Sequence, residues 1–241
     1  GDAIVKIAAN RNFFEKIVVS DYDLSRAEKS VAWVASHRDA TVAAKFVADK
    51  VDASDPANVA DLARKHQITH VMNAVEPKFV QSIFEGALQA GANYMDMAMS
   101  LSHAHPTDPF NTPAEKLGDW QYDRSKLYAD QGLLALIGTG AEPGISNIFA
   151  RYAQDHLFQE VDEIKIMDGG NLVVKNDAGE EIFAPSFSIW TVIEECLNPP
   201  LLWEKDRGWF TTPPFSEPEV FEFPGGIGAV ECVNVEHEEV N

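Results

Sequence analysis

Cysteine is scarce, with Cys196 and Cys232 the only two in 241 residues. Two thiols cannot staple a chain of this length, which excludes a disulfide-framed scaffold; buried, reduced thiols in a cytoplasmic setting are expected. Basic residues are also few. Nineteen Lys and Arg stand against 38 Asp and Glu, a net charge of −19. That balance excludes the clustered phosphate contacts of a nucleic-acid binder and charge-held attachment to an anionic membrane. Long apolar runs are missing: stretches such as Leu133 to Gly138 fall far short of the ~20 residues that span a bilayer. No basic segment leads into an apolar one at the N-terminus, so no signal peptide is expected. No G-x-S-x-G and no Cys–His nucleophile arrangement is present. What the chain does contain is 45% hydrophobic and 24% charged residues, the composition of an ordinary globular protein with one large core or two smaller ones.

The first half alternates β-branched runs with amphipathic stretches. Strands are predicted at Lys16–Asp21, Ala43–Ala48, His70–Ala74, Tyr94–Ala98 and Leu133–Ile137. Helices are predicted from Gly1 to Ala9, from Ser25 to Ser36 with Ser25 and Glu28 as a capping box, and from Asn58 to His66 behind Asp55-Pro56. Further helices fall at Lys78–Ala90, ending at Gly91, and at Trp120–Asp130. Strand and helix in strict alternation mean right-handed crossovers and a doubly wound parallel sheet. Residues 1–146 are read as this dinucleotide-binding domain.

Residues 147–241 have a different texture. A helix is expected over Ile145–Leu157, then strands at Glu163–Asp168, Val173–Lys175 and Glu181–Phe183, with Asn176-Asp-Ala-Gly179 as a turn. A helix over Ser186–Cys196, a Pro/Trp-rich connection, and strands at Glu219–Phe223 and Ala229–Val235 follow. Strands joined by turns predict an antiparallel or mixed sheet, hence an α+β domain for substrate binding and dimerisation. The chain opens on a helix with no strand leading in and stops within a strand-like run at Val235–Val240. Part of a longer chain, with the first strand of the parallel sheet missing, is the expectation.

Open parallel sheets bind ligands at the carboxyl ends of their strands. Gly1 opens a helix as the third glycine of a G-x-G-x-x-G fingerprint does, and Asp21 follows at that motif's spacing of about 20 residues. A carboxylate there accepts the ribose hydroxyls of an adenosine, favouring NAD, whereas Arg26 can meet a 2′-phosphate, which keeps NADP possible. Asp52 is a candidate adenine neighbour, and Asn73, Ala74 and Val75 let a cofactor approach the backbone. The sharpest local signal is Gly138-Thr-Gly-Ala-Glu-Pro-Gly-Ile-Ser-Asn147. It joins a strand to a helix N-terminus and presents N–H groups to a carboxylate or a nicotinamide amide. Gly140, Pro143 and Gly144 are its cofactor candidates; Glu142, Asn147 and, further along the helix, Arg151 are its substrate candidates.

At this loop the sequence resembles the saccharopine dehydrogenase family. The pattern G-x-x-P-G-x-x-N stands as Gly140–Asn147 and continues as Phe149-Ala-Arg-Tyr-Ala153. Asp21-Tyr-Asp-Leu-Ser-Arg-Ala-Glu28, Tyr94-Met-Asp96 and Gly169-Gly170 are similar to further family segments. The resemblance implies a Rossmann domain, a substrate and dimerisation domain after it, NAD(P)-dependent chemistry at a C–N bond, and an amino-acid or polyamine substrate. It also implies that the first two fingerprint glycines belong to the missing strand.

Such chemistry needs proton shuttling beside a neutral amine, which imidazole suits. His103, with His105 nearby, and His237 are the candidates, and Asp96 at a strand end is placed to orient an amine. Arg151 and Arg207 are possible anchors for a substrate carboxylate. Neither His103-Ala-His105 nor Glu236-His-Glu-Glu239 brings a complete ligand set, so no metal is expected. Two other readings stay open: a dinucleotide-binding protein without catalysis, and an oxidoreductase acting on C–O bonds.

Overall fold

The computed structural model describes residues 1–169, 172–182, 184 and 188–240, in two compact units. The first comprises Gly1–Asp96 and Arg124–Leu136, the second Met97–Asp123 and Ile137–Asn241. The 97–123 segment and the glycine-rich loop therefore group with the second unit.

The first unit runs α1 (Asp2–Ala8), β1 (Ile17–Asp21), α2 (Leu24–His37), α3 (Ala40–Ala43), β2 (Phe46–Lys50), α4 (Pro56–Lys65) and β3 (His70–Asn73). A 3-10 turn at Pro77–Phe79 leads into α5 (Val80–Ala90) and β4 (Asn93–Asp96). After α6 (Asp119–Tyr122), which groups with the second unit, α7 (Ser125–Asp130) and β5 (Ala135–Leu136) complete the first. The pairings β1–β2, β3–β4 and β4–β5 are all parallel, as the alternating pattern requires. They form two hydrogen-bonded groups, β1–β2 and β3–β4–β5.

Each group has its own apolar packing. Val5, Ala8 and Ala9 join Val34 of α2 and Phe46 of β2 in one buried cluster, with Phe14, Ile17 and Trp33 around it. Val80, Ile83, Phe84 and Ala87 of α5 and Val59, Ala60 and Ala63 of α4 are also buried. The two helices meet at Gly86, where a Cβ would stand 2.6 Å from the Val59 Cβ and 2.7 Å from the Pro56 carbonyl oxygen. Phe84 packs edge-on to Tyr94 with centroids 5.0 Å apart, and the Tyr128 hydroxyl donates to the Phe84 carbonyl (2.8 Å).

Several boundaries differ from expectation. The cap of α2 is Asp23, whose carboxylate accepts the Ser25 N–H and hydroxyl (3.0 and 2.8 Å), so Ser25 lies inside the helix. Ala43, expected to begin a strand, instead ends α3, which Asp39 caps through the Thr41 and Val42 N–H groups, and the strand starts at Phe46. The Trp120–Asp130 helix is two short ones, α6 and α7, interrupted at Asp123–Arg124.

The second unit contains α8 (Ile145–His156), β6 (Val174–Lys175), β7 (Glu181–Ile182), α9 (Ile189–Leu197), β8 (Leu201–Glu204), β9 (Gly208–Thr211), β10 (Glu219–Phe223) and β11 (Gly228–Cys232). A 3-10 turn follows at Glu238–Val240. Its strands form antiparallel hairpins, β6–β7, β8–β9 and β10–β11. Asn176 closes the first turn, its side-chain oxygen accepting the Ala178 and Glu180 N–H groups. The β8–β9 hairpin occupies the expected Pro/Trp-rich connection and turns through Gly208, at φ +76°. Glu163–Asp168 is irregular rather than a strand, with no ladder partner among the described residues, and Val235–Val240 ends in the 3-10 turn. Gly170 of the glycine pair, Phe183 and Ser186 lie outside the described residues. Both cysteines are free but half-buried rather than buried. No helix among the described residues is long and apolar enough to cross a membrane.

Candidate functional site

In the first unit β1 delivers Asp21 at its carboxyl end. One Asp21 oxygen accepts the Asp23 N–H (3.0 Å), and the other lies 3.7 Å from Nε of the exposed Arg26. Acceptor and guanidinium are thus side by side, which fits a ribose carrying either a free 2′-hydroxyl or a 2′-phosphate. Gly1 stands at the N-terminus of α1 with open space around the position of a Cβ. Asp52, in the loop after β2, accepts both the N–H and the hydroxyl of Ser54 (3.0 and 2.6 Å), and these bonds lower its pKa.

At the end of β3, Asn73 is buried and its side chain is already engaged. Its amide donates to the Tyr94 hydroxyl (3.1 Å), and its oxygen accepts the Val75 N–H (3.1 Å). Only its backbone and those of Ala74 and the exposed Val75 remain for close approach. Asp96 ends β4 as expected, but it is 1% exposed and accepts the Tyr94 hydroxyl (2.8 Å). Burial and the Asp96 charge push the Tyr94 phenol far up, keeping it a donor. The geometry gives Asp96 a structural hydrogen bond inside the first unit.

The glycine-rich loop lies in the second unit and is shaped by contacts that only glycine permits. Gly144 adopts φ +132°, and a Cβ there would fall 2.3 Å from the Gly140 carbonyl oxygen. Gly140 and Gly144 form a short parallel bridge, and the intervening Pro143 is fully buried. Asn147 then works in two directions. Its oxygen accepts the Gly144 N–H (2.9 Å), capping α8, and its amide donates to the Glu239 carbonyl (2.9 Å). Arg151, one turn on, is exposed and pairs with Asp155 (2.8 Å) along the surface of α8. The pair joins residues four apart on one helix face.

Beside this loop the second unit gathers acids around His237. Its Nδ1 bonds to the Glu239 carboxylate, Glu238 lies 3.8 Å from Nδ1, and Glu195 of α9 lies 3.9 Å from Nε2. The segment is tied down by the Glu236 N–H donating to the Glu195 carbonyl (3.1 Å). The Glu236 carboxylate further accepts from Asn198 (2.8 Å) and from the Ser102 hydroxyl. Burial alone would lower the His237 pKa. The Glu239 hydrogen bond, with the charges of Glu239, Glu238 and Glu195, outweighs it and lifts the group to about 9. Burial pushes Glu238 up to about 7, and it also raises Glu195 and Glu142. Asp168 and Glu239 add to the rise at Glu142, which places the loop's predicted acid in this same electrostatic field.

Three sequence candidates, Glu142, Asn147 and His237, thus converge. Glu195 was missed, because 42 residues separate it from His237 and only the packing of α9 brings them together. Glu195, His237 and Glu238 each offer an atom within 4.8 Å of the others, a set that can hold a metal ion. The sequence alone supplied only two members of that set. His103 and His105 do not join it. His103 is exposed, paired with Glu115 (2.8 Å), and lines a shallow depression with His105, Thr211 and Glu236. Arg207 stacks on Phe210, its guanidinium carbon 3.4 Å from the ring centroid.

Comparison with known proteins places this geometry in context. The profile of the family described as the saccharopine dehydrogenase NADP binding domain matches residues 1–136. A carboxynorspermidine synthase of Vibrio alginolyticus is 28% identical over 238 residues, covering 98% of this chain and 54% of that protein. A carboxynorspermidine synthase of Vibrio cholerae is 25% identical over 236 residues with the same coverage. A carboxyaminopropylagmatine dehydrogenase of Synechocystis is 24% identical over 168 residues, covering 70% of this chain and 38% of that protein. The chain spans about half the length of the two synthases. In structure it is similar to apo saccharopine dehydrogenase (L-Glu forming) of Saccharomyces cerevisiae, with a TM-score of 0.59 and 12% identity. That match covers 98% of this chain and 47% of the yeast protein, and it shows the α/β fold with parallel strands. With its parallel strands, the acid ending β1 and a profile match over more than half its length, the chain belongs to the saccharopine dehydrogenase NADP binding domain family.

Proposed function

We propose that this chain serves an NAD(P)-dependent oxidoreductase acting at the C–N bond of a polyamine derivative, joining an amine to a carbonyl compound by reduction or running the reverse. The reading includes a cytoplasmic setting, which the two free cysteines support, and the homodimer implied by the resemblance. The observation that carries it is the convergence of Glu142, Asn147 and His237 on one acidic cluster, in a chain whose relatives over 98% of its length are carboxynorspermidine synthases.

Bound NAD(P) supplies or accepts the hydride at the carbon bearing nitrogen. In this reading Asp21 accepts the adenosine ribose hydroxyls and Arg26 meets a 2′-phosphate. Condensation of an amine with a carbonyl forms the C=N bond and releases water, and the amine must be neutral to attack. Held as an imidazolium at neutral pH by Glu239, Glu238 and Glu195, His237 is the group suited to donate the proton with which the carbinolamine hydroxyl leaves as water. In the opposite direction the imidazole left by that step takes the proton back from the water that attacks the C=N bond. Asn147 acts as a positioning residue, fixing the turn that presents this imidazole.

The test pairs the protein and NADPH or NADH with α,ω-diamines and amino-acid semialdehydes and follows loss of the reduced nicotinamide absorbance. Turnover that requires both amine and aldehyde is expected. Oxidation of simple alcohols, with no response to any amine, would overturn the reading. Arg26→Ala should weaken NADPH more than NADH, and Asp21→Ala the reverse.

A further inference from the structure

Glu236 is 5% exposed, yet no Lys or Arg pairs with it among the described residues. Neutral donors meet both of its oxygens instead, the Ser102 hydroxyl on one and the Asn198 amide (2.8 Å) on the other. A carboxylate buried in this way costs desolvation, and a well-packed apolar side chain would serve stability as well. What the carboxylate adds is a grip on two partners from distant parts of the sequence, each at hydrogen-bond distance.

Both partners are themselves anchored. Beside Ser102, His103 exchanges backbone hydrogen bonds with Glu115 (2.8 and 3.2 Å). Asn198 caps the C-terminus of α9 through its N–H to the Glu194 carbonyl (2.9 Å), and just beyond it the fully buried Pro200 accepts the Thr212 N–H (3.1 Å). Glu236 adds its own N–H to the Glu195 carbonyl (3.1 Å). It thus joins the 97–123 segment, α9 and the turn that carries His237. On the other side of the imidazole, Asn147 holds the Glu239 carbonyl, so His237 is bracketed by two ties. Glu238 and Glu239 belong to the same turn as His237, whereas Glu195 belongs to α9 and stands 3.9 Å from Nε2. That last separation depends on how the turn and α9 are held together.

We propose that Glu236 is a positioning residue for His237: through Ser102 and Asn198 its carboxylate locks the histidine-bearing turn to α9 and fixes the imidazole against Glu195. This rests on the oxidoreductase reading above and deepens it by a further residue of the same site. The groups acting on the imidazole are Glu238 and Glu239 from its own turn, Glu195 from α9, Glu142 from the glycine-rich loop and Glu236 itself, with Asp168 acting on Glu142 and Glu195. Together they keep the ring protonated up to about pH 9, and opening the Glu195 pair withdraws part of that support.

The experiment follows the His237 ring by NMR pH titration, its signal assigned by its absence in His237→Gln. Glu236→Ala should lower the pH at which the ring titrates by about one pH unit or more, and Ser102→Ala should lower it less, in the same direction. Glu236→Gln should shift it by less than half as much as Glu236→Ala, because its amide donates to the Ser102 hydroxyl while its carbonyl accepts from Asn198. An unchanged titration in folded Glu236→Ala overturns the proposal by reducing Glu236 to a structural tie. Equal shifts in the alanine and glutamine variants overturn it by making charge, not grip, the cause. Circular dichroism reports folding; should Glu236→Ala not fold, Ser102→Ala carries the test, and an unchanged titration there is equally fatal. In the NADPH assay the alkaline limb of the pH–rate profile should move down with the ring in Glu236→Ala, with the KM for NADPH unchanged. Because the titration needs no turnover, a wild type silent in that assay would defeat the oxidoreductase reading while the ring still decides the role of Glu236.

Discussion

Replacing Glu238 by glutamine keeps the shape of the side chain and removes its charge, so its effect should depend on pH alone. Glu238 is 6% exposed. Burial, with Glu195 and Glu239 adding and His237 opposing, moves its carboxyl from the ordinary 4.5 to about 7. In the folded protein it therefore keeps its proton up to about pH 7, whereas in the unfolded chain it releases it near 4.5. Between those values the native state holds more protons, so stability falls as pH rises and stays at the lower level above 7. The loss amounts to about 3 kcal/mol, at about 1.4 kcal/mol per pH unit. Below pH 5 the wild-type group is already neutral, and Glu238→Gln should change stability by less than about 1 kcal/mol. At pH 8 the variant escapes the cost of a buried charge and should be more stable than wild type by up to about 3 kcal/mol. Urea unfolding at both pH values measures the difference, and the repulsion from the net charge of −19 cancels because both proteins share it. Equal destabilisation at pH 5 and pH 8 would refute the reasoning.

Three further outcomes follow from the packing. Gly144→Ala forces a Cβ to within 2.3 Å of the Gly140 carbonyl at φ +132°, so a loss of at least about 2 kcal/mol in urea unfolding is expected, together with weaker diamine binding. Gly86→Ala drives a methyl into Val59 and the Pro56 carbonyl; the urea midpoint should fall by an amount equivalent to about 1–3 kcal/mol, and an unchanged midpoint would show that α4 and α5 can separate freely. Tyr94→Phe removes the hydroxyl that Asn73 donates to and Asp96 accepts, at a cost of about 1–3 kcal/mol in thermal or chemical unfolding.

The parallel strands were legible from short β-branched runs such as Ile17-Val-Val19, and Gly91 marked the end of α5 by its left-handed conformation. Choices between adjacent capping residues were not. Asp23 outcompetes Ser25 for the start of α2 because its carboxylate reaches the Ser25 N–H, and nothing in residue type ranks the two. The β8–β9 hairpin hid behind its prolines and tryptophans, although Lys205-Asp-Arg-Gly208 between Leu201-Leu-Trp203 and Trp209-Phe210 is a readable turn. At the candidate site, the glycine-rich loop and His237 were visible as local patterns. Glu195 was not, since its place beside His237 depends on where α9 packs and on the Glu236 N–H reaching its carbonyl. The burial of Asp96 beside the Tyr94 hydroxyl was not legible either, since a strand-end acid reads the same in sequence whether it faces solvent or the core.

Asn147 receives a proton-bearing nitrogen from one neighbour and lends its own to another, and few side chains can do both from one short, rigid stem. Aspartate would retain the first half of the exchange, forfeit the second, and add one more negative group to a crowded corner. Serine would be too short to bridge both partners at once. The position is therefore restricted to a carboxamide by the simple requirement that two strangers in the sequence be held by one planar group, and drift at residue 147 would loosen the loop and the histidine-bearing turn together.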